Sequence, residues 1–336
     1  MLEDTHISLA HGNGGRHMRE LIEEVFARHL ANPRLDVNAD AVPFMIDADA
    51  TAFITTDGFT VQPLEFPGGD IGSLAINGTI NDLAVAGAIP LYMTVSAIIE
   101  EGLEVALLER IVRSLAAAAH AARVQVVAGD TKVVPRGQGG GLYLTTTGVG
   151  AQPQGRHFGL DRIRPGDKVL VSGPVGDHGI AVMLAREEFE LSGSVQSDCA
   201  SVAGLTSSIA DLDGVHFMRD PTRGGLATVV HEIAVACSHE VRLFEAKVPV
   251  RDAVRSVCQI LGYDPYYLAS EGRVVAVVAP GDADEALAAW KGLPDGVDAA
   301  IIGEVRQGAG RVVLETEIGG TRILDELEDD PLPRIC

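Results

Sequence analysis

Apolar β-like runs alternate with helical stretches along almost the whole of this 336-residue chain. The alternation happens twice, on either side of one break. "TAFITTDG" (51–58) reads as a strand that stops at Asp57-Gly58. "DIGSLAINGTINDLAVAGA" (70–88) reads as a small-residue helix with Asp70 as its N-cap. "LYMTVSAII" is a second strand, "LEVALLERIVRSLAAAAHAA" a long helix, "VQVVAGD" a strand ending at Gly129-Asp130, and "GLYLTTTGVG" a fourth. "RHMRELIEEVFARHL" precedes them with helical spacing of its apolar residues. Such alternation predicts an α/β (α+β) fold.

The break is "AQPQGRHFGLDRIRPGDKV", rich in Gly, Pro and charge. "KVLVSGP" then opens a second α/β unit. Its helices are expected near 178–188, 198–210, 224–237, 249–261 and 282–292, and its strands near 241–244, 273–279, 299–305 and 311–316. The expected domains are 1–155, 156–324 and a tail, 325–336, that is acidic ("DELEDD") and then proline-rich ("PLPRIC").

Several functions are disfavoured by composition. The formal net charge is −21, which repels phosphate backbones, so nucleic acid is not expected as a partner. No apolar run is long enough to span a bilayer, and the opening residues lack a basic region followed by an apolar core, so neither a membrane span nor a secretory signal is expected; the location expected is cytoplasmic. The four cysteines, Cys199, Cys237, Cys258 and Cys336, have no zinc-type spacing and are too few for a disulfide framework. The first three are expected to be reduced packing residues.

Asp57 and Asp130 close apolar runs, and Asp82 follows Asn81 in "NGTINDLAVAGA". Ligands of α/β sheets gather outside the carboxyl ends of strands, and hard oxygen donors there suit Mg²⁺. The same residue types also cap helices and form turns. "AHGNGGRH" has the glycines to let backbone N–H groups approach a polyphosphate, yet matches neither the P-loop nor the dinucleotide spacing. "MRDPTRGGLAT" is more specific. Asp220 precedes a proline turn, Arg223 can reach phosphate oxygens, and Gly224-Gly225 open a helix whose N-terminal amides favour an anion. Lys132 lies two positions beyond Asp130, and Glu271 just before a strand; each is also an ordinary surface charge type.

Together, "LAHGNGGR", "TTDGFTVQPLEFPGGDIG", "GTINDLAVAGA", "VAGDTKVV", "RDPTRGGLA" and "ASEG" resemble the nucleotide-site motifs of the AIR-synthetase-like ATPase superfamily. The closing "PLPRIC" resembles the C-terminal signature of the HypE family, the carbamoyl dehydratases of [NiFe]-hydrogenase maturation. The similarity runs from about residue 6 to 336. It implies a two-domain AIR-synthetase-like fold. The N-terminal mixed α/β domain would form a β-barrel with a second copy in a homodimer, and the C-terminal domain would carry a flexible tail. It implies ATP and Mg²⁺, with Asp57, Asn81, Asp82, Asp130, Thr131 and Arg223 at the nucleotide and Asp57, Asp82, Asp130 and Asp220 as metal ligands. Cys336, Glu271 and Lys132 would be catalytic. HypF would be the carbamoyl donor and the HypC–HypD complex the acceptor of the cyanide.

That chemistry is demanding in ways these residues meet. Converting S–C(=O)–NH₂ to S–C≡N requires loss of water, and oxygen leaves carbon poorly unless first phosphorylated. The site then needs a polyphosphate cradle, a divalent ion, a base for the nitrogen protons and a substrate held in line. Twelve residues from Asp325 span at most about 40 Å when extended. Pro331 and Pro333 keep the last turn from becoming helical. A small-molecule phosphotransferase of the same superfamily and a non-catalytic thiol carrier are the competing readings.

Overall fold

The computed structural model describes residues 4–13, 15–37, 39, 41–47, 49–186 and 194–327. Cys336, Pro331, Pro333 and the rest of 328–336 therefore lie outside the described residues. Two compact units divide between Gln154 and Gly155, the second also taking Ala84–Gly87.

The first unit begins with a helical run. It comprises α1 (Arg16–Leu21), a π-helical stretch (Ile22–Ala27) and α2 (Arg28–Leu30). Then come β1 (Thr51–Phe59), the short pair β2 (Glu65–Phe66) and β3 (Gly69–Asp70), α3 (Ile71–Val85), β4 (Ile89–Glu100), α4 (Val105–Ala121), β5 (Gln125–Val134) and β6 (Leu142–Gln152). The α3 N-terminus is closed as its sequence predicts. Asp70 Oδ1 accepts from the Ser73 N–H at 2.8 Å, while Ser73 Oγ accepts from the Asp70 N–H at 3.0 Å, which satisfies two otherwise orphaned donors. Along α4, Leu108, Ile111, Val112, Leu115 and Ala119 form one buried stripe.

The large sheet of this unit has the order β1-β6-β4-β5, with only β4 and β5 parallel. Two expectations fail here. Asp57 does not end β1, nor does Asp130 end β5. Asp57 pairs with Thr146 and Asp130 with Ser96, and the ladders continue to Phe59 and Val134. The partner strands supply cross-strand hydrogen bonds through the Asp-Gly and Gly-Asp steps, which outweighs the local turn preference. Because the sheet is mostly antiparallel, the rule placing ligands beyond strand carboxyl ends does not locate this site.

Residue alternation gives the sheet two unlike faces. Phe59, Thr146, Val95 and Leu144 are buried on one, where α3 packs and the Thr79 and Thr146 hydroxyls hydrogen-bond. Ile54, Thr56, Thr145, Asp130 and Lys132 lie exposed on the other.

The second unit contains β7 (Lys168–Val171), α5 (Asp177–Ala185), α6 (Ala203–Ile209), β8 (Val215–Arg219), α7 (Gly225–Cys237), β9 (Glu240–Phe244), α8 (Asp252–Leu261), β10 (Val275–Val278), α9 (Ala283–Lys291), β11 (Ala300–Arg306), β12 (Arg311–Glu315) and β13 (Thr321–Ile323). Its seven strands run β13-β12-β9-β11-β7-β10-β8, all antiparallel except β12 with β9. Helices cover both faces. Leu226, Val230 and Ile233 of α7 pack on Val169, Val171, Val275 and Val277. Leu205, Ile209 and Trp290, from α6 and α9, pack on Leu170, Ala276 and Val278. Double coverage explains why "VAVV" is apolar at every position. The strand "VHFMR" (β8) was missed by the sequence reading because its His and Arg interrupt the apolar pattern. Among the described residues no helix is long and apolar enough to cross a membrane.

Candidate functional site

In the first unit, α3 and β1 place two of the acidic residues on one side of the sheet. Thr55 Oγ1 donates to Asp82 Oδ2 at 2.9 Å, and Asp57, two residues along β1, shares the face of Thr55. Asp57 Oδ1 accepts from the Gly58 N–H at 2.8 Å. Asn81, next to Asp82, is buried. Thr131 belongs to the same face of the sheet, and its Oγ1 is buried with no hydrogen-bond partner among the described residues. Asp130 and Lys132 are exposed on the opposite face, so one chain brings Asp57 and Asp82 together and leaves Asp130 apart. The donors fit Mg²⁺ and a nucleotide in kind: hard carboxylate oxygens at partly exposed positions, and one orphaned hydroxyl.

In the second unit, two motifs 50 residues apart in sequence meet. The Ser270 N–H donates to the Pro221 carbonyl at 3.0 Å, joining "RDPTRGG" to "ASEG". Gly224 and Gly225 have φ of 70° and 60°, a left-handed pair that only glycine adopts cheaply. A Cβ at Gly225 would also lie 2.5 Å from the Leu268 carbonyl oxygen. Asp220 and Glu271 are both buried, and Arg223 is exposed.

Glu271 is only 5% exposed, unlike an ordinary surface glutamate. Its N–H donates to Asp198 Oδ1 at 3.0 Å, and a side chain on Gly272 would collide with the Asp198 carbonyl oxygen. Asp198 Oδ2 lies 3.3 Å from Arg273 Nε, and Asp177 Oδ2 accepts from Arg251 Nε at 2.8 Å. Burial pushes both Asp carboxyls up, against the pull of Arg273 and Arg251. This buried ionic group fixes the backbone beneath Glu271, and breaking one partner of such a group leaves a stranded charge. The sequence reading missed Asp177, His178, Asp198, Arg251 and Arg273. The available signal was "GDHG", charge set between the apolar runs of "VSGPV" and "IAVML".

His178, whose Nδ1 is 2.8 Å from Ser197 Oγ, is pulled by burial from 6.5 down to about 3 and stays neutral in the folded protein. Between those values the unfolded chain binds a proton that the folded chain does not, so stability falls as pH falls. The slope reaches about 1.4 kcal/mol per pH unit. Denaturant titrations from pH 6.5 towards 3 should show His178→Gln losing that slope. Equal slopes for variant and wild type would contradict it.

The chain enters its tail beside the same turn. Leu324 is buried, and its carbonyl accepts from His231 Nε2 at 2.6 Å. The Asp325 carbonyl accepts from the Tyr267 hydroxyl at 2.6 Å. Leu327 Cδ2 lies 3.7 Å from where a Cβ on Gly224 would sit. Two cysteines of the second unit are poor nucleophiles, because burial pushes Cys258 up to about 11 and raises Cys237; Cys199 is half-buried.

Comparison with known proteins places this geometry in context. Residues 38–152 match the N-terminal domain, and residues 164–315 the C-terminal domain, of AIR synthase related proteins. The chain is 46% identical over 338 residues to the carbamoyl dehydratase HypE of Rhodobacter capsulatus, covering 100% of this chain and 99% of that one. A crystal structure of the hydrogenase maturation protein HypE in complex with ATP superposes with a TM-score of 0.92 at 43% identity, covering 98% of this chain and 99% of that one. The crystal structure of a HypE–HypF complex matches with a TM-score of 0.80 at 44% identity, covering 91% and 99%.

Proposed function

This chain belongs to the HypE family of carbamoyl dehydratases, and on that premise we propose that it dehydrates an S-carbamoyl group on Cys336 to a thiocyanate at the expense of ATP. The observation that carries the reading to this chain is the seat of the tail root. His231 and Tyr267 hold Leu324 and Asp325, and Leu327 lies against Gly224, on the unit that carries Glu271. Eight residues lie between Leu327 and Cys336, nine steps of chain that reach at most about 32 Å.

In this reading the carbamoyl oxygen attacks the γ-phosphorus of ATP and ADP departs. Glu271 takes protons from nitrogen while the C–O bond breaks, leaving S–C≡N and inorganic phosphate. The oxygen lost from carbon ends in the phosphate. Lys132 stabilises the phosphorylated oxygen. Asp57, Asn81, Asp82, Thr131 and Arg223 bind the nucleotide, with Asp130, on the opposite face of the sheet in one chain, supplied by a second copy. Mg²⁺ would be held by Asp57 and Asp82, with Asp220 and the second copy's Asp130 as further ligands, and would supply charge neutralisation on the polyphosphate. HypF, named in the complex of a relative, is the carbamoyl donor, and the HypC–HypD complex takes the cyanide for the hydrogenase iron. The reaction is placed in the cytoplasm.

The deciding experiment is intact mass of the carbamoylated protein with and without ATP. A dehydratase loses the mass of one water only with ATP; an unchanged mass with ATP leaves a thiol carrier.

A second copy of the chain is proposed to cover the open face of the first unit's sheet. Ile54 is 74% exposed on the edge strand β1, and Ile98 is exposed on β4. Apolar side chains on a solvated sheet face mark an association surface. Closure by a second copy would also bring Asp130 and Lys132 out of bulk solvent. Ile54→Asp is expected to shift the protein from dimer to monomer in sedimentation; a wild type that sediments as a monomer removes the proposal.

A further inference from the structure

Asp4, His11 and His17, none of them assigned a role above, converge at the start of the first unit. Their three donor atoms all lie within 4.8 Å of one another. Asp4 Oδ2 is 3.4 Å from His11 Nε2 and 3.4 Å from His17 Nδ1. Neither nitrogen has a hydrogen-bond partner among the described residues, although both atoms are buried. His11 is 1% exposed, which makes an unsatisfied ring nitrogen costly.

Two of the three donor–donor distances have the spacing of metal ligands. Ligands at about 2.0–2.1 Å from a tetrahedral zinc ion are separated by about 3.3–3.4 Å, as Asp4 Oδ2 is from each imidazole nitrogen, while the two nitrogens lie within 4.8 Å of each other. An imidazole–carboxylate hydrogen bond would draw the atoms closer, to about 2.7–2.9 Å. We propose that Asp4 Oδ2, His11 Nε2 and His17 Nδ1 bind a first-row divalent transition-metal ion, with Zn²⁺ the best fit to two imidazoles and one carboxylate.

The surroundings hold the donors in place. Thr5 and Ile7 exchange backbone hydrogen bonds with residues 102–105: Val105 N–H to the Thr5 carbonyl at 3.0 Å, Ile7 N–H to the Leu103 carbonyl at 2.8 Å, and Gly102 N–H to the Ile7 carbonyl at 2.7 Å. Gly12 is pressed against Val133 of β5. Ser8 lies beside the remote nitrogen of His11. With Nδ1 bare, it accepts from the Ser8 N–H at 3.1 Å. With Nδ1 protonated, it donates to Ser8 Oγ at the same 3.1 Å, which frees the Nε2 lone pair for a metal and gives the ligand its outer partner. Glu20 Oε2 lies 3.9 Å from His17 Nδ1. An ion here would clamp the two ends of the glycine-rich "HGNGGRH" turn to each other and to the segment holding Asp4.

The test uses the full-length protein, stripped with chelator and dialysed against Zn²⁺ in excess Mg²⁺ so that carboxylate sites preferring the harder ion are filled. One Zn²⁺ per chain is expected by elemental analysis. Co²⁺ in its place should give tetrahedral visible bands without the near-ultraviolet charge-transfer band of a cysteine ligand. Asp4→Asn and His17→Gln alter partly exposed side chains, and each is expected to weaken binding by at least about tenfold while leaving the fold intact by circular dichroism. The proposal is overturned if wild-type protein retains no stoichiometric Zn²⁺, if the Co²⁺ spectrum carries a thiolate band, or if both variants bind as tightly as wild type.

Discussion

Cys336→Ala is expected to abolish the carbamoyl adduct completely while ATP affinity stays at the wild-type value. Every other cysteine is shielded: Cys258 by burial that raises it to about 11, Cys237 by burial that raises it, and Cys199 by partial cover. A thiol acts through its thiolate, so Cys258 and Cys237 are poor substitutes for Cys336. The variant removes one sulfur from a tail that follows the last described contacts at Leu324, Asp325 and Leu327, none of which involves a proposed nucleotide ligand. Incubation with the carbamoyl donor followed by intact mass gives the first readout, and calorimetric ATP titration the second. An adduct at normal stoichiometry on the variant would place the reactive sulfur elsewhere.

Glu271→Gln is expected to slow dehydration by about 10²–10⁴-fold, the range a positioned general base supplies, and to let the carbamoylated tail accumulate. The substitution keeps volume and keeps the backbone contacts on either side: Ser270 N–H to the Pro221 carbonyl, and Glu271 N–H to Asp198 Oδ1. Stability should therefore change little, which separates loss of a base from loss of structure. Single-turnover mass analysis with ATP reads the rate directly. Thiocyanate formation at the wild-type rate would exclude Glu271 as the base.

Several parts of the candidate site were readable as local chemistry. Asp70 caps α3 through Ser73, three residues away, and the left-handed pair Gly224-Gly225 opens α7 where "RGGLA" marks a helix start. Glu271 was visible as a residue but not as a buried one. Its N–H is held by Asp198, which pairs in turn with Arg273, and only the folded second unit brings Asp198 to it across more than 70 residues. The cluster of Asp4, His11 and His17 was hidden for a related reason. The two histidines flank a glycine turn six residues apart, but Asp4 reaches them only once backbone bonds to 102–105 fix its segment.

From the sequence alone came the helices and most strands, the break near residue 155, the superfamily motifs and the singular tail. These follow from interactions between residues a few positions apart, which periodicity, caps and turn types record directly. Tertiary structure decided that β1 and β5 run on through Asp57 and Asp130, and that these two aspartates face opposite sides of one sheet. Strand pairing is a contact between distant segments. Because side chains alternate with a period of two, the register of that pairing fixes which face each acid occupies, and no local pattern carries that information.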